Sequence, residues 1–442
     1  SKSRSLENAE LMQNLKDAYG DKDRLQVSKQ LDELEERIAS YGVSDQGKLF
    51  NYYDERFSIR ENQISMIMKI VQEFTIQEVD RLLSSILHKH KIDPERCYLS
   101  LSGGYGLNCP TNSYLIRKYR FKGLVVPPCI NDGGQAIGMG LLYFYTKLPR
   151  FSFKLKNAYY GNREGFSPQN LMESAFAANV EDINYGLDKL CEDLMKGPVV
   201  WLEDRAEIGP RALGHRSILA DPRKLESKCR INAVKQRQWW RPVAPVIMED
   251  YVEEWFENGA RSPFMLNNFL VKSSRQKAIP AVLHLDDTAR VQTVSKEDGL
   301  IYRALQLFYQ RTGVPILCNT SLNDKGEPII DSITQAVTFA LRKGITILYV
   351  NGWRISLHNT SGVADSGPAQ RDDKLFTCYA GNSQLVQKNN PYHITAQEFF
   401  FAYMNCDPMF DFTNAAQVEY MRKLRRMYHR LIQEYETVFE KS

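Results

Sequence analysis

Cysteine pairing is the first thing this sequence does without. Its eight cysteines (Cys97, Cys109, Cys129, Cys191, Cys229, Cys318, Cys378, Cys406) are scattered, with no CxxC pair and no close spacing of a disulfide or zinc framework. They read as reduced thiols. Long apolar runs are also missing. No stretch approaches the roughly 18 apolar residues that a membrane span requires, and residues 1–19 hold no apolar leader core, so a cytoplasmic protein free of the membrane is expected. Charge of one sign is lacking too: 57 basic side chains stand against 53 acidic ones, for a net +4. That balance does not demand a polyanion, although a local basic face stays open. Neither the GxxxxGK[ST] phosphate loop nor GxGxxG occurs, and no internal repeat or low-complexity tract appears.

What is present is length. A chain of 442 residues with 43% hydrophobic content exceeds what one core holds, so at least two domains are expected. Residues 1–58 read as a charged helical lead-in, with Leu31, Leu34 and Ile38 on one side. From Ile59 to His88 the apolar residues Ile64, Met68, Val71, Phe74, Leu82, Leu83 and Ile86 predict a long core helix. Cys97–Leu101, a glycine turn and a helix after Pro110 make a strand–turn–helix unit, repeated as Gly123–Val126, PPCINDGG and AIGMGLLYFY. Alternation of this kind predicts an α/β fold over 59–157. After a looser stretch around 157–168, strands at Val199–Leu202, Val243–Met248, Ala289–Val294, Val314–Cys318 and Ile345–Val350, with helices at Leu300–Thr312 and Thr334–Lys343, predict a second α/β domain over 170–357. Residues 358–442 form a polar tail ending in a basic amphipathic helix from about Asn414 to Phe439.

Several loops carry candidate chemistry. In LSLSGGYGLN, Gly103 and Gly104 at a strand end would let backbone N–H groups approach a ligand, and a plain tight turn is the alternative. Asp132, followed by Gly133 and Gly134, could hold a metal while the next helix N-terminus faces phosphate; capping of that helix is the alternative. RAEIGPRALGHRSILADPR sets Arg205, Arg211 and Arg216 among glycines and a proline, and VKQRQWWRPVAP adds Lys235, Arg237 and Arg241 around two tryptophans. Such a density of guanidinium forks suits phosphate or carboxylate oxygens better than a merely solvated face. Arg290 and Gln292 lie in the strand-like ARVQTV, and NTSLNDKGEP offers Asn319, Thr320, Ser321 and Asn323 at a strand end, where α/β sites collect.

In this order, LSGGYGLN, PPCINDGGQAIG, RAEIGPRALGHRSILADPR, VKQRQWWRPVAPV, ARVQTV and TGVPILCNTSLNDKGEPI resemble the O-carbamoyltransferase family of tobramycin, cephamycin and nodulation-factor carbamoylating enzymes. The resemblance covers about residues 60–357. It implies the C-terminal lobe of an actin/sugar-kinase-like (ASKHA) ATPase domain, similar to threonylcarbamoyladenosine enzymes, followed by a YrdC-like α/β domain and a helical tail. It also implies a two-stage reaction. Carbamoyl phosphate is cleaved, the carbamate attacks the α-phosphate of ATP, and the resulting carbamoyladenylate gives its carbamoyl group to an acceptor hydroxyl. Carried over by motif, Gly103, Gly104, Asn108, Gly133 and Gly134 would contact nucleotide, and Asp132 would bind a divalent metal of iron or magnesium type. Arg205, Arg211, Lys235, Arg237, Arg241, Arg290, Asn319, Ser321 and Asn323 would line the carbamoyl phosphate pocket.

The family pattern also includes a preceding lobe with a histidine pair at HxxxH spacing, for which this sequence has no equivalent; His88 and His90 are two apart. The expectation is a lobe on a separate polypeptide, a fragment, or a lost transfer step. A threonylcarbamoyladenosine-type enzyme and an inactive nucleotide-binding module are the other readings. The acceptor is expected to be a sugar-like or antibiotic-like small molecule or a hydroxymethylated pyrimidine in DNA, and a homo-oligomer is open.

Overall fold

In the computed structural model, residues 54–358 and 414–440 are described, with side chains to 429 in the second stretch, together with Glu36, Tyr392, His393 and Glu398. The predicted lead-in over 1–58 therefore lies almost wholly outside the described residues. By contact density the chain divides into a unit over 1–368, which holds both predicted α/β segments, and a unit over 369–442.

Helix α1 (Ile59–Lys89) starts where the sequence predicts, because Ser58 and Glu61 form a capping box: Glu61 N–H donates to Ser58 Oγ, and Ser58 N–H to Glu61 Oε2. Its buried face differs from the predicted one. Asn62, Gln63, Met66 and Ile70 face inward, while Met68, Val71, Leu82 and Ile86 are exposed. Two-residue strands β1 (Leu99–Ser100) and β2 (Leu124–Val125) pair in parallel. Between them, α2 (Cys109–Tyr119) is capped by Asn108 Oδ1, which accepts from Thr111 N–H at 3.2 Å. Helix α3 (Gln135–Lys147) buries none of its residues, although Met139, Leu142, Tyr143, Phe144 and Tyr145 all lie on it.

The second segment is built on one ten-stranded mixed sheet. In chain order its strands are β3 (Val180–Tyr185), β4 (Val199–Leu202), β5 (Arg216–Ala220), β6 (Ala244–Met248), β7 (Phe256–Glu257), β8 (Asn267–Val271), β9 (Thr288–Val294), β10 (Ile316–Ser321), β11 (Ile347–Val350) and β12 (Trp353–Leu357). Their spatial order is β3-β12-β11-β4-β5-β10-β6-β9-β8-β7, with β4–β11 and β6–β9 parallel and the other neighbours antiparallel.

Strand alternation feeds two separate cores. Val199 and Trp201 of β4 pack with Ile301, Leu305 and Phe308 of helix Leu300–Thr312, whereas Val200 and Leu202 pack with Val337, Phe339 and Ala340 of helix Ile333–Arg342. Both faces of the central sheet are thus covered, and β4, β5 and β6 are buried along their whole length. Helix Leu300–Thr312 has the predicted bounds, between Gly299 and Gly313. Its first N–H groups, on Leu300 and Ile301, donate to the buried carboxylate of Glu203 at 2.7 and 3.1 Å. Burial pushes that carboxyl up to about 7.

In the second unit, helix Ala415–Glu440 confirms the predicted terminal helix. Val418 and Met421 are buried, and Arg422 donates to Glu398 Oε1 at 2.9 Å and to the Tyr392 carbonyl at 3.0 Å.

Candidate functional site

The predicted arginines separate into different roles. Arg216, inside the densest motif, sits in β5 and is 2% exposed. Its Nε donates to the Asp331 carbonyl (3.0 Å), Nη1 to those of Glu203 (2.8 Å) and His215 (3.0 Å), and Nη2 to that of Asp204 (3.1 Å). This corrects its reading as an anion-binding fork: its donors are spent on main chain. Arg205 is exposed, with Nη1 on the Gly161 carbonyl at 3.1 Å. Arg241 is also exposed; its Nε donates to Gln238 Oε1, and its guanidinium lies near the Trp240 ring.

Arg211, Arg237 and Arg290 behave differently. Arg211 precedes β5, Arg237 follows helix Leu225–Val234, and Arg290 lies in β9. Each holds a buried guanidinium nitrogen without a protein partner: Arg211 Nε, Arg237 Nη2 and Arg290 Nε. Burial first, then the proximity of Arg211 and Arg237, brings Arg290 down to about 10, and burial with Arg241 does the same to Arg237. No carboxylate contributes to either shift. Half-buried cations that repel one another and retain buried, unused donors are costly unless an anion joins them.

The polar strand end lies beside them. Asn319 is 1% exposed; its Nδ2 donates to Gln292 Oε1 (2.8 Å), and Gln292 Nε2 donates to the Leu213 carbonyl (2.6 Å). That chain fixes the amide orientation and leaves Asn319 Oδ1 buried without a partner. Lys235 ties down the next residues: Nζ donates to the carbonyls of Ser321 (2.8 Å) and Asn323 (2.6 Å), and to Ser321 Oγ and Asn323 Oδ1. Burial, aided by Arg237, lowers the Lys235 ammonium to about 7.

Asp324 anchors the far side of this loop, with Lys343 Nζ at 2.9 Å and Arg342 Nη1 at 3.5 Å from Oδ2. Because the carboxylate is 2% exposed, Asp324→Ala should destabilise the protein by about 3 kcal/mol. A fall in the urea midpoint at unchanged slope checks this.

Sequence reasoning missed Glu207. Its Oε1 accepts the backbone N–H groups of Leu213 (2.7 Å), His215 (2.8 Å) and Arg216 (3.1 Å), bending the loop that carries Arg211. The Tyr159 ring stacks on His215 with centroids 3.4 Å apart, and its hydroxyl donates to the Leu213 carbonyl at 2.9 Å.

A cavity of about 310 Å³ joins the two α/β segments, lined by Gln72, Asn108 and Cys109 on one side and by Ala244, Asn268, His284 and Arg290 on the other. Strand register sets Asn268 opposite Arg290, and Asn319 opposite Ala244. The buried Oδ1 of Asn268, like that of Asn319, has no protein partner. Cys109, Asn268 and His284 carried no local signal in the sequence.

The predicted nucleotide residues surround a turn on the first side. Gly103 has φ +92° in a backbone that L side chains rarely adopt, and its N–H donates to the Ile130 carbonyl at 2.8 Å, joining the two loops. Asn108 serves as the α2 cap and pairs with Gln72. Gly134 is required by packing, since a Cβ there would lie 2.3 Å from the Cys129 carbonyl; Gly133 is exposed. Asp132 is exposed, and no cluster of three or more His, Cys, Asp or Glu side chains that could hold a metal exists among the described residues. No described helix is long and apolar enough to cross a membrane.

Comparison with known proteins places these segments in a common context. Residues 9–141 match the family profile described as Carbamoyltransferase N-terminus, and residues 191–356 match Carbamoyltransferase C-terminus. Nodulation protein NolNO of Sinorhizobium fredii is 37% identical over 300 residues, covering 65% of this chain and 44% of that protein. The 3'-hydroxymethylcephem-O-carbamoyltransferase of Amycolatopsis lactamdurans is 35% identical over 261 residues, covering 58% and 48%. Nodulation protein U of Rhizobium tropici is 31% identical over 328 residues, covering 72% and 53%. The chain therefore spans about half the length of these relatives.

Proposed function

The chain belongs to the carbamoyltransferase family, and from that premise we propose that it is an ATP-dependent O-carbamoyltransferase. The observation that carries the reading is the trio Arg211, Arg237 and Arg290, whose buried donors lack a carboxylate and so match the oxygens of carbamoyl phosphate. In this reading the ten-stranded domain is YrdC-like and binds carbamoyl phosphate, and the segment over 59–157 is an ASKHA-type lobe that meets the nucleotide at the turn over 103–108. Carbamate released from carbamoyl phosphate attacks the α-phosphate of ATP. Pyrophosphate leaves with the broken P–O bond's electron pair, and carbamoyladenylate forms. The arginines stabilise charge building on the phosphoryl oxygens rather than moving protons. The cavity that joins Asn108 to Arg290 would give the labile anhydride a short path between the two segments.

The acceptor in this proposal is a hydroxyl of a small molecule, in keeping with the cephem relative's name. The basic tail helix is less free for a polyanion than its sequence suggests, since Arg422 and Arg425 both face Glu398. Hydroxymethylated single-stranded DNA should thus be retained only weakly even at low salt, where phosphate contacts are strongest. Steep salt-dependent retention in a filter-binding titration would favour a DNA acceptor instead. A separate polypeptide with a metal-binding lobe is also proposed as partner, because the exposed apolar side chains of α3 and the outer stripe of α1 call for cover.

Trapping tests the reaction itself. With carbamoyl phosphate, ATP and hydroxylamine, the chain should yield AMP and hydroxyurea in equal amounts. Hydroxyurea formed without ATP, or AMP without carbamoyl phosphate, would contradict it.

A further inference from the structure

The cavity beside Arg290 contains a second group whose chemistry the adenylate step leaves unused. His284 opens the tight turn that leads into β9: its N–H donates to the Thr288 carbonyl (2.9 Å), and its own carbonyl accepts from Asp287 N–H (3.2 Å). Asp287 adopts a left-handed φ of +62° at the turn. The Thr288 hydroxyl donates to Asp286 Oδ1 at 2.7 Å and lies 3.0 Å from His284 Nδ1. A hydroxyl has one proton. With that proton on the Asp286 carboxylate, Nδ1 must be the donor to Thr288, which puts the ring's lone pair on Nε2. Among the described residues Nε2 has no hydrogen-bond partner, and the residue lines the cavity with Arg290.

We propose that His284 is the proton acceptor for the water that splits carbamoyl phosphate while Arg290 holds the phosphoryl group beside it. The water oxygen bonds to phosphorus as the bond from phosphorus to the carbamoyl oxygen breaks. That bond's electron pair stays on the departing carbamate, and the water proton passes to Nε2. Carbamate and hydrogen phosphate are the products, and carbamate is the nucleophile the adenylate step consumes. The relay from Nδ1 through Thr288 to Asp286 steadies the imidazolium that forms.

The surroundings keep the base ready. Burial, reinforced by Arg290 and by Lys228 and opposed by Asp286, lowers the imidazole to about 4, so it is neutral at pH 7. Across the cavity the single proton of the Cys109 thiol has carbonyl acceptors in Met265 (3.3 Å) and Leu107 (3.5 Å), which directs it away from Nε2. A dianion bound at Arg290 offsets the cationic field on the ring, so affinity for a proton rises when substrate is present.

The inference rests on the proposed carbamoyl phosphate reading, and one design separates their failures. Ammonium carbamate solutions supply carbamate directly, after the step assigned to His284. In His284→Gln, ATP–pyrophosphate exchange driven by carbamoyl phosphate should fall about 10²-fold, the usual scale for loss of a general base. Exchange driven by ammonium carbamate should persist in the same preparation, showing that it is folded and binds ATP. Loss of both activities would make His284 structural and overturn the assignment, as would retention of both. Absence of either exchange in the unsubstituted protein would overturn the carbamoyl phosphate reading first.

Discussion

Arg290→Ala should lower adenylate formation by about 10²–10³-fold, the scale seen when one donor to a developing oxyanion is removed, and should leave the protein at least as stable as before. The second half follows from the sign of the pKa shift. A basic group held at about 10 in the fold, below its ordinary 12.5, opposes folding at every pH below about 10 and is relieved only as pH rises from there towards 12.5. Removing it at neutral pH removes that opposition along with some packing of its stem. Inorganic phosphate should raise the melting temperature of the unsubstituted protein by mass action and have little effect on the variant. Melting curves with and without phosphate, beside exchange rates, check both halves. A variant that loses activity by unfolding would refute the assignment of Arg290 to an anion site.

Arg216→Ala should divide its effects the opposite way, although its arginine-rich motif reads more like an anion site than the strand-like run that holds Arg290. Its guanidinium binds four main-chain carbonyls from a position 2% exposed. Truncation strands those carbonyls and opens a gap beside β5, so a loss of about 4 kcal/mol is expected, from roughly 1–3 kcal/mol per unsatisfied buried group with partial relaxation. Denaturant unfolding should show the loss, and phosphate should still stabilise whatever folded protein remains. A variant of normal stability that fails to bind phosphate would place Arg216 in the anion site after all.

The contrast between these arginines marks where the sequence stops being readable. Helix Leu300–Thr312 was legible to the residue because its apolar period runs unbroken between two glycines. Strand Val199–Leu202 was legible as a short apolar run. Strand β5 was not, since RSILA lies within an arginine-rich block and its first residue is buried by hydrogen bonds that join it to residues as far away as Asp331. The helical period of α1 was plain, but which face turns inward depends on the partner, and here Met66 and Ile70 are covered while Met68 and Leu82 are not. Motif order brought out Arg211, Arg237 and Arg290 without separating them from Arg205, whose exposure is a tertiary outcome. His284, Asn268 and Glu207 matter through register and loop contact, which leave no local mark.

In the proposed reaction one active site couples carbamoyl phosphate to ATP through an adenylate. Isotope exchange between pyrophosphate and ATP tests it most directly, because label can enter ATP only if adenylate formation runs in reverse. Exchange should depend on carbamoyl phosphate, need no acceptor, and be lost in Arg290→Ala. Exchange that ignores carbamoyl phosphate, or its absence while carbamoyl transfer to an acceptor proceeds, would rule out the adenylate route.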